Sequence, residues 1–87
     1  GMADTLNSLS NDQGYISNDE LTKFLVTFAE STGQDISQAE IQDVLSLGDT
    51  EQTGHARADA VAAAMMMGPA ARKKKVADVE RQRSGQH

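Results

Sequence analysis

Gly14-Tyr15-Ile16-Ser17-Asn18-Asp19-Glu20-Leu21 decides how this chain is read. Gly14 supplies a sharp turn, because a residue without Cβ takes positive φ at little cost. The β-branched Ile16 follows two residues later and suits a short extended segment. Ser17 or Asn18 can cap a helix, and Asp19 and Glu20 favour its positive end. Glu20 stands six residues after Gly14. A loop that wraps a hard cation has this layout, with a glycine at position 6 and a closing glutamate at position 12. The first half of the loop departs from it. Counted back from Gly14, position 1 is Leu9, position 3 is Asn11 and position 5 is Gln13. Leu9 offers no oxygen to a hard cation. With one residue deleted, Ser10 becomes the first ligand and Asp12 the next. In either register the leading aspartate is missing.

A second copy follows. Asp49, Glu51, Thr53 and Gly54 fall at positions 1, 3, 5 and 6 of a similar loop. His55 falls at position 7, where a backbone carbonyl would be the ligand, and Ala56 replaces a β-branched residue at position 8. Ala60 stands at position 12, so this copy lacks the bidentate carboxylate.

On these residues the chain resembles the EF-hand family. Residues 5–67 look like one lobe of a calmodulin-like or myosin-light-chain-like protein. "GYISNDEL" is close to that family's loop-to-helix junction, and "DISQAEIQDVLSLGDTEQTG" has the layout of its second entering helix and loop. The departures are a short first helix, missing ligands in both loops, and a Gly14–Gly54 spacing about one helical turn longer than usual. The extra residues fall near Thr32-Gly33-Gln34-Asp35, where a linker tolerates insertion. The resemblance implies an all-α paired EF-hand with a tiny two-stranded ribbon, Tyr15–Ser17 against His55–Arg57. It also implies a degenerate calcium-binding site, with Asn11, Asp12, Glu20, Asp49 and Glu51 as weak metal candidates. No other cofactor is expected.

Composition sets outer limits. Eighty-seven residues make one small domain. Without cysteine there are no disulfides, zinc–thiolate sites or thiol chemistry. No apolar run is long enough to span a membrane. No n-region or h-region for secretion is legible, and a cytoplasmic location is expected. Charge is uneven: residues 1–69 carry eleven acids against Lys23 and Arg57, whereas residues 70–87 carry six bases against Asp78 and Glu80. An acidic body repels nucleic-acid phosphate and attracts basic peptides.

The layout is helical: residues 4–9, 18–31, 38–47 and 57–67. Gly33 stops the second of these and Gly48 closes the third, which Ser37 and Glu40 open as a capping box. Gly68-Pro69 ends the last. Leu21, Phe24, Leu25, Phe28, Ile41, Val44, Leu45, Val61, Met65 and Met66 are expected to form an apolar centre that partly opens to a partner helix. Of Met65, Met66 and Met67, at least one must leave the core, since successive helical residues lie about 100° apart. Residues 2–69 are read as the lobe and residues 70–87 as a basic, disordered tail. Residues 70–83 could form a marginal helix with Val76 and Val79 on one side.

Neither His55 nor His87 has partners for a metal site or a catalytic dyad, and no Ser/His/Asp set or phosphate loop stands out. The expected function is therefore non-enzymatic protein binding. The lobe would hold an amphipathic or IQ-type helix of a larger protein, of myosin or cytoskeletal type, as a light chain does, largely independently of calcium. One alternative is a weak calcium sensor through loop one. Another is a helix-turn-helix over residues 36–64, with "EQTGHARADAV" as recognition helix. Its single Arg and acidic surroundings make it a poor phosphate partner.

Overall fold

The computed structural model describes residues 2–84 as a mostly helical chain with one small antiparallel sheet. The order is α1 (Met2–Leu9), β1 (Tyr15–Ser17), α2 (Asn18–Ser31), α3 (Gln38–Gly48), β2 (His55–Arg57), α4 (Ala58–Met66) and α5 (Pro69–Ser84). Two helix–loop–strand–helix units thus stand in series. Their strands pair with Tyr15 opposite Arg57, Ile16 opposite Ala56 and Ser17 opposite His55. The ribbon expected from the sequence is present, in the segments named for it.

Local chemistry sets the helix ends. Ser17 caps α2, its Oγ accepting the Glu20 N–H at 3.2 Å. Ser37 caps α3 in the same way, accepting the Glu40 N–H at 3.2 Å, and the Glu40 carboxylate lies 3.4 Å from the Ser37 hydroxyl. Gly33 ends α2 at φ +72°: its N–H donates to the Glu30 carbonyl and that of Gln34 to the Ala29 carbonyl. That is the paired closure a left-handed glycine permits. Gly48 behaves differently from the expected helix stop. It is the last residue of α3 and is buried. A Cβ there would meet Val61 Cγ2 at 2.8 Å and Ala56 Cβ at 2.9 Å, so the glycine sets how closely α3 approaches β2 and α4.

The core gathers side chains from both units. Leu6, Ile16, Leu21, Leu25, Ile41, Val44, Ala56, Ala58 and Val61 form one buried cluster. Phe24, Ile36, Leu45, Ala62 and Met65 pack against it while partly exposed. At about 25 cal/mol per Å² these aliphatic side chains supply most of the burial energy, as the scarcity of aromatics requires.

The C-terminal segment corrects an expectation. Residues 70–87 were read as a disordered tail outside the lobe, but the chain is helical from Pro69 to Ser84, and residues 85–87 lie outside the described residues. Pro69 does end the preceding helix, yet it also starts the next. A first helical position needs no N–H and favours proline's fixed φ. The Arg72 N–H closes the first turn on the Gly68 carbonyl at 3.0 Å. Packing holds the helix in place: α5 lies against α3, and Val76 and Arg72 are buried. It runs in the same sense as α3, since Lys73 pairs with Asp43 at 3.7 Å and Arg83 lines a pocket with Asp49. The recognition helix of the helix-turn-helix alternative does not form either, because loop and strand occupy residues 49–57.

Candidate functional site

The two loops lie side by side at one end of the molecule, tied by reciprocal backbone bonds. The Asn18 N–H donates to the Gly54 carbonyl at 3.1 Å, and the Ala58 N–H donates to the Gly14 carbonyl at 2.9 Å. Each glycine carbonyl therefore receives the first amide of the other unit's second helix. Gly14 and Gly54 adopt φ +82° and +90°, as the turn positions require. Loop one, residues 10–14, is one residue shorter than loop two, residues 49–54. Leu9 is the last residue of α1, so it is helical rather than a loop position.

Loop two is organised by Asp49. Its Oδ1 accepts the Thr53 N–H at 2.8 Å and the Thr53 hydroxyl at 3.2 Å. Its Oδ2 accepts the Gly54 N–H at 2.9 Å and the Asn18 side-chain amide at 3.2 Å. The residue is 8% exposed. Burial raises the carboxyl pKa, but the bonds from Thr53, Gly54 and Asn18 together outweigh it and hold Asp49 below the ordinary aspartate value. Asp49 is thus an anion whose two oxygens are occupied by the protein's own donors.

In loop one a neutral side chain has the corresponding role. Asn11 Oδ1 accepts the Gln13 N–H at 2.9 Å and the Tyr15 N–H at 3.0 Å. The Asn11 N–H in turn donates to the Tyr15 carbonyl at 2.7 Å. Asp12, Glu20 and Glu51 are exposed. Glu20 sits in the first turn of α2, and among the described residues no cluster of three or more His, Cys, Asp or Glu comes together. The five metal candidates are therefore split: Asn11 and Asp49 bind backbone amides, and the other three face solvent. Between the loops lies a cleft of about 370 Å³ lined by Asn11, Tyr15, Asp49, Glu51, His55 and Arg57, among others. His87 falls outside the described residues.

The residues expected to form a partner groove separate into two sets. Leu21, Leu25, Ile41, Val44 and Val61 are buried in the core and offer nothing to a partner in this state. Phe24, Phe28, Leu45 and Met65 are partly exposed. The Phe24 and Phe28 rings stack with centroids 5.9 Å apart. Met66 is 85% exposed, so one of the three methionines does leave the core. The sequence reading missed Arg72. This arginine is 8% exposed and donates from Nη1 to the Ala64 carbonyl at 3.1 Å and the Met67 carbonyl at 2.9 Å. Its Nη2 lies 4.0 Å from Glu40 of α3. The helix-favouring run after Pro69 was the signal for α5, but nothing in the sequence singled out Arg72 from the lysines beside it.

The chain matches no family model, no curated protein and no solved structure.

Proposed function

We propose that this chain is a non-enzymatic interaction module of EF-hand type, which holds an amphipathic helix of a larger protein without needing calcium. Its partner would be the kind of helix a light chain embraces, on a myosin-type or cytoskeletal protein. The observation that carries this reading is the state of the two loops. Asn11 and Asp49 satisfy the converging loop amides, Ala60 stands where loop two would need its closing carboxylate, and Glu20 is exposed. A calcium ion would have to displace bonds already made, with too few carboxylates to compensate. The partly exposed Phe24, Phe28, Met65 and Met66 supply adaptable apolar surface, and the acidic lobe favours a basic helix.

Two titrations test it. Calorimetry with calcium should give no dissociation constant tighter than about 10⁻⁶ M, and tighter binding would overturn calcium independence. A basic amphipathic peptide of IQ type should shift the Met65 and Met66 methyl resonances. Unmoved methyls at millimolar peptide would remove the partner-helix reading.

A further inference from the structure

The second helix–loop–strand–helix unit has two ends. At one end loop two and the ribbon join α3 to α4. The other end, where α3 begins and α4 finishes, has no loop that joins the two helices directly. Arg72 of α5 sits at that end. One face of its guanidinium group donates to Ala64 and Met67 at the finish of α4, and the other points at Glu40 in the first turn of α3. Lys73 adds a second tie to α3 through Asp43. We propose that α5 is a strap across the open end of this unit, with Arg72 as its clasp, and that α4 can swing away from α3 only when the strap lifts.

Three features make α5 suited to this role. First, Arg72 has a geometric reason to be buried. The last turn of a helix leaves carbonyls without partners, and a planar cation with several fixed donors can serve two carbonyls and a carboxylate together. Second, α5 has little apolar surface to bury. Its aliphatic residues larger than alanine are Val76, which is buried, and Val79, which is partly exposed. Six bases against Asp78 and Glu80 lie along a body that is otherwise acidic. Such a helix is held more by charge and by one arginine than by a broad hydrophobic face, so it can leave without unfolding the core. Third, the clasp is imperfect, since Arg72 Nε is buried without a partner. The closed state therefore carries a cost that release would relieve.

When the strap lifts, swinging α4 uncovers Ile41, Val44 and Val61, the buried members of the expected groove. The consequence for a partner helix rests on the function proposed above, whereas the lock itself does not. The lock can be measured without a partner. The chain has no cysteine, so spin labels can be placed cleanly on Gln38→Cys in α3 and Ala63→Cys in α4, both exposed positions. Pulsed electron resonance on the full chain then reads the distance between the two arms.

Two variants release the strap independently. Arg72→Gln removes the clasp, and Val76→Asp lifts α5 through a residue that makes none of the three Arg72 contacts. Both should lengthen or broaden the distance distribution. A swing of about 40° acting through residues 58–63 gives a displacement on the order of 5 Å. Arg72→Lys, which cannot reach both carbonyls and Glu40 at once, should fall between. If Arg72→Gln does not fold, Val76→Asp decides alone. A folded variant with an unchanged distance overturns the strap. The same variants also separate the two proposals. A longer distance with no gain in peptide binding keeps the lock and counts against the partner helix; an unchanged distance with normal peptide binding does the reverse.

Discussion

Replacing Asp49 should be the most costly polar change in the loops. In Asp49→Ala the Thr53 N–H, the Gly54 N–H and the Asn18 amide all lose their acceptor, whereas the Thr53 hydroxyl keeps the His55 carbonyl within reach. A hydrogen bond to a charged group contributes roughly 1.5–3 kcal/mol. Thr53 and Gly54 are exposed, so water can take up part of each loss, and about 1 kcal/mol for each of the three donors is the fair figure. The sum, about 3 kcal/mol, is a large fraction of what a domain of this size has to lose. At roughly 4–8 °C per kcal/mol for small domains, the thermal midpoint should fall by about 12–24 °C. Asp49→Asn keeps one acceptor oxygen but turns an amide toward Asn18, so about half the loss is expected. The assay is far-ultraviolet circular dichroism on heating at pH 7, repeated down the acid range. Asp49 is held below its ordinary value in the fold, so its contribution is complete above the unfolded carboxyl value of about 3.9 and is lost as pH falls through the folded value. Wild type should lose that stability as pH falls below about 4, and Asp49→Asn should lack that portion of the acid limb. A midpoint within about 3 °C of wild type for Asp49→Ala would show that the loop does not depend on this carboxylate.

The core makes two further predictions. Gly48→Ala should cost about 1–3 kcal/mol, because its Cβ would press on Val61 and Ala56 at distances real side chains do not tolerate. A neutral result in chemical denaturation would mean that α3 can back away freely. Leu25→Ala should cost about 2–5 kcal/mol from a fully buried site, and Phe28→Ala clearly less, since its ring is partly exposed and stacks only on Phe24. Equal losses in urea midpoints would place Phe28 in the core after all.

Locally encoded features were legible in the sequence. Ser17 and Ser37 sit just before apolar-periodic runs, and both cap as their chemistry requires. Gly14 and Gly54 mark the turns, and the ribbon follows from where they stand. The alternation of apolar positions on α2 and α3 picked out Leu21, Leu25, Ile41 and Val44 correctly as one face, but periodicity cannot tell a face that is sealed from one that is open. Packing decided that, and it put the two phenylalanines at the margin. Composition describes the α5 segment only as it would stand alone. A charged run with two valines cannot support itself in water. It is held because the Ala64 and Met67 carbonyls at the end of α4 accept from Arg72 and α3 carries Glu40 and Asp43 on the side α5 approaches, and those are tertiary facts. Asp49 is legible in the sequence by its position at the start of loop two. Its spacing suits a metal ligand, yet the same spacing brings it onto the amides of Thr53 and Gly54.

Ala56 is where these strands of argument meet. Ala56 is a small residue, whereas Ile16 in the partner strand is β-branched. The two are directly opposed in the ribbon and both are buried. On the other side of Ala56 lies Gly48, whose missing Cβ leaves room of less than 3 Å to the Ala56 methyl. A valine at 56 would need α3 to retreat. Retreat would pull Asp49, the next residue along, away from Thr53, Gly54 and Asn18. The small pair Gly48 and Ala56 therefore brings α3 close enough for its following carboxylate to reach the loop amides. On this argument the small residues at 48 and 56 and the self-bonded Asp49 belong to one arrangement. Loop two is thus shaped by the approach of α3, which brings a carboxylate onto the amides of Thr53 and Gly54.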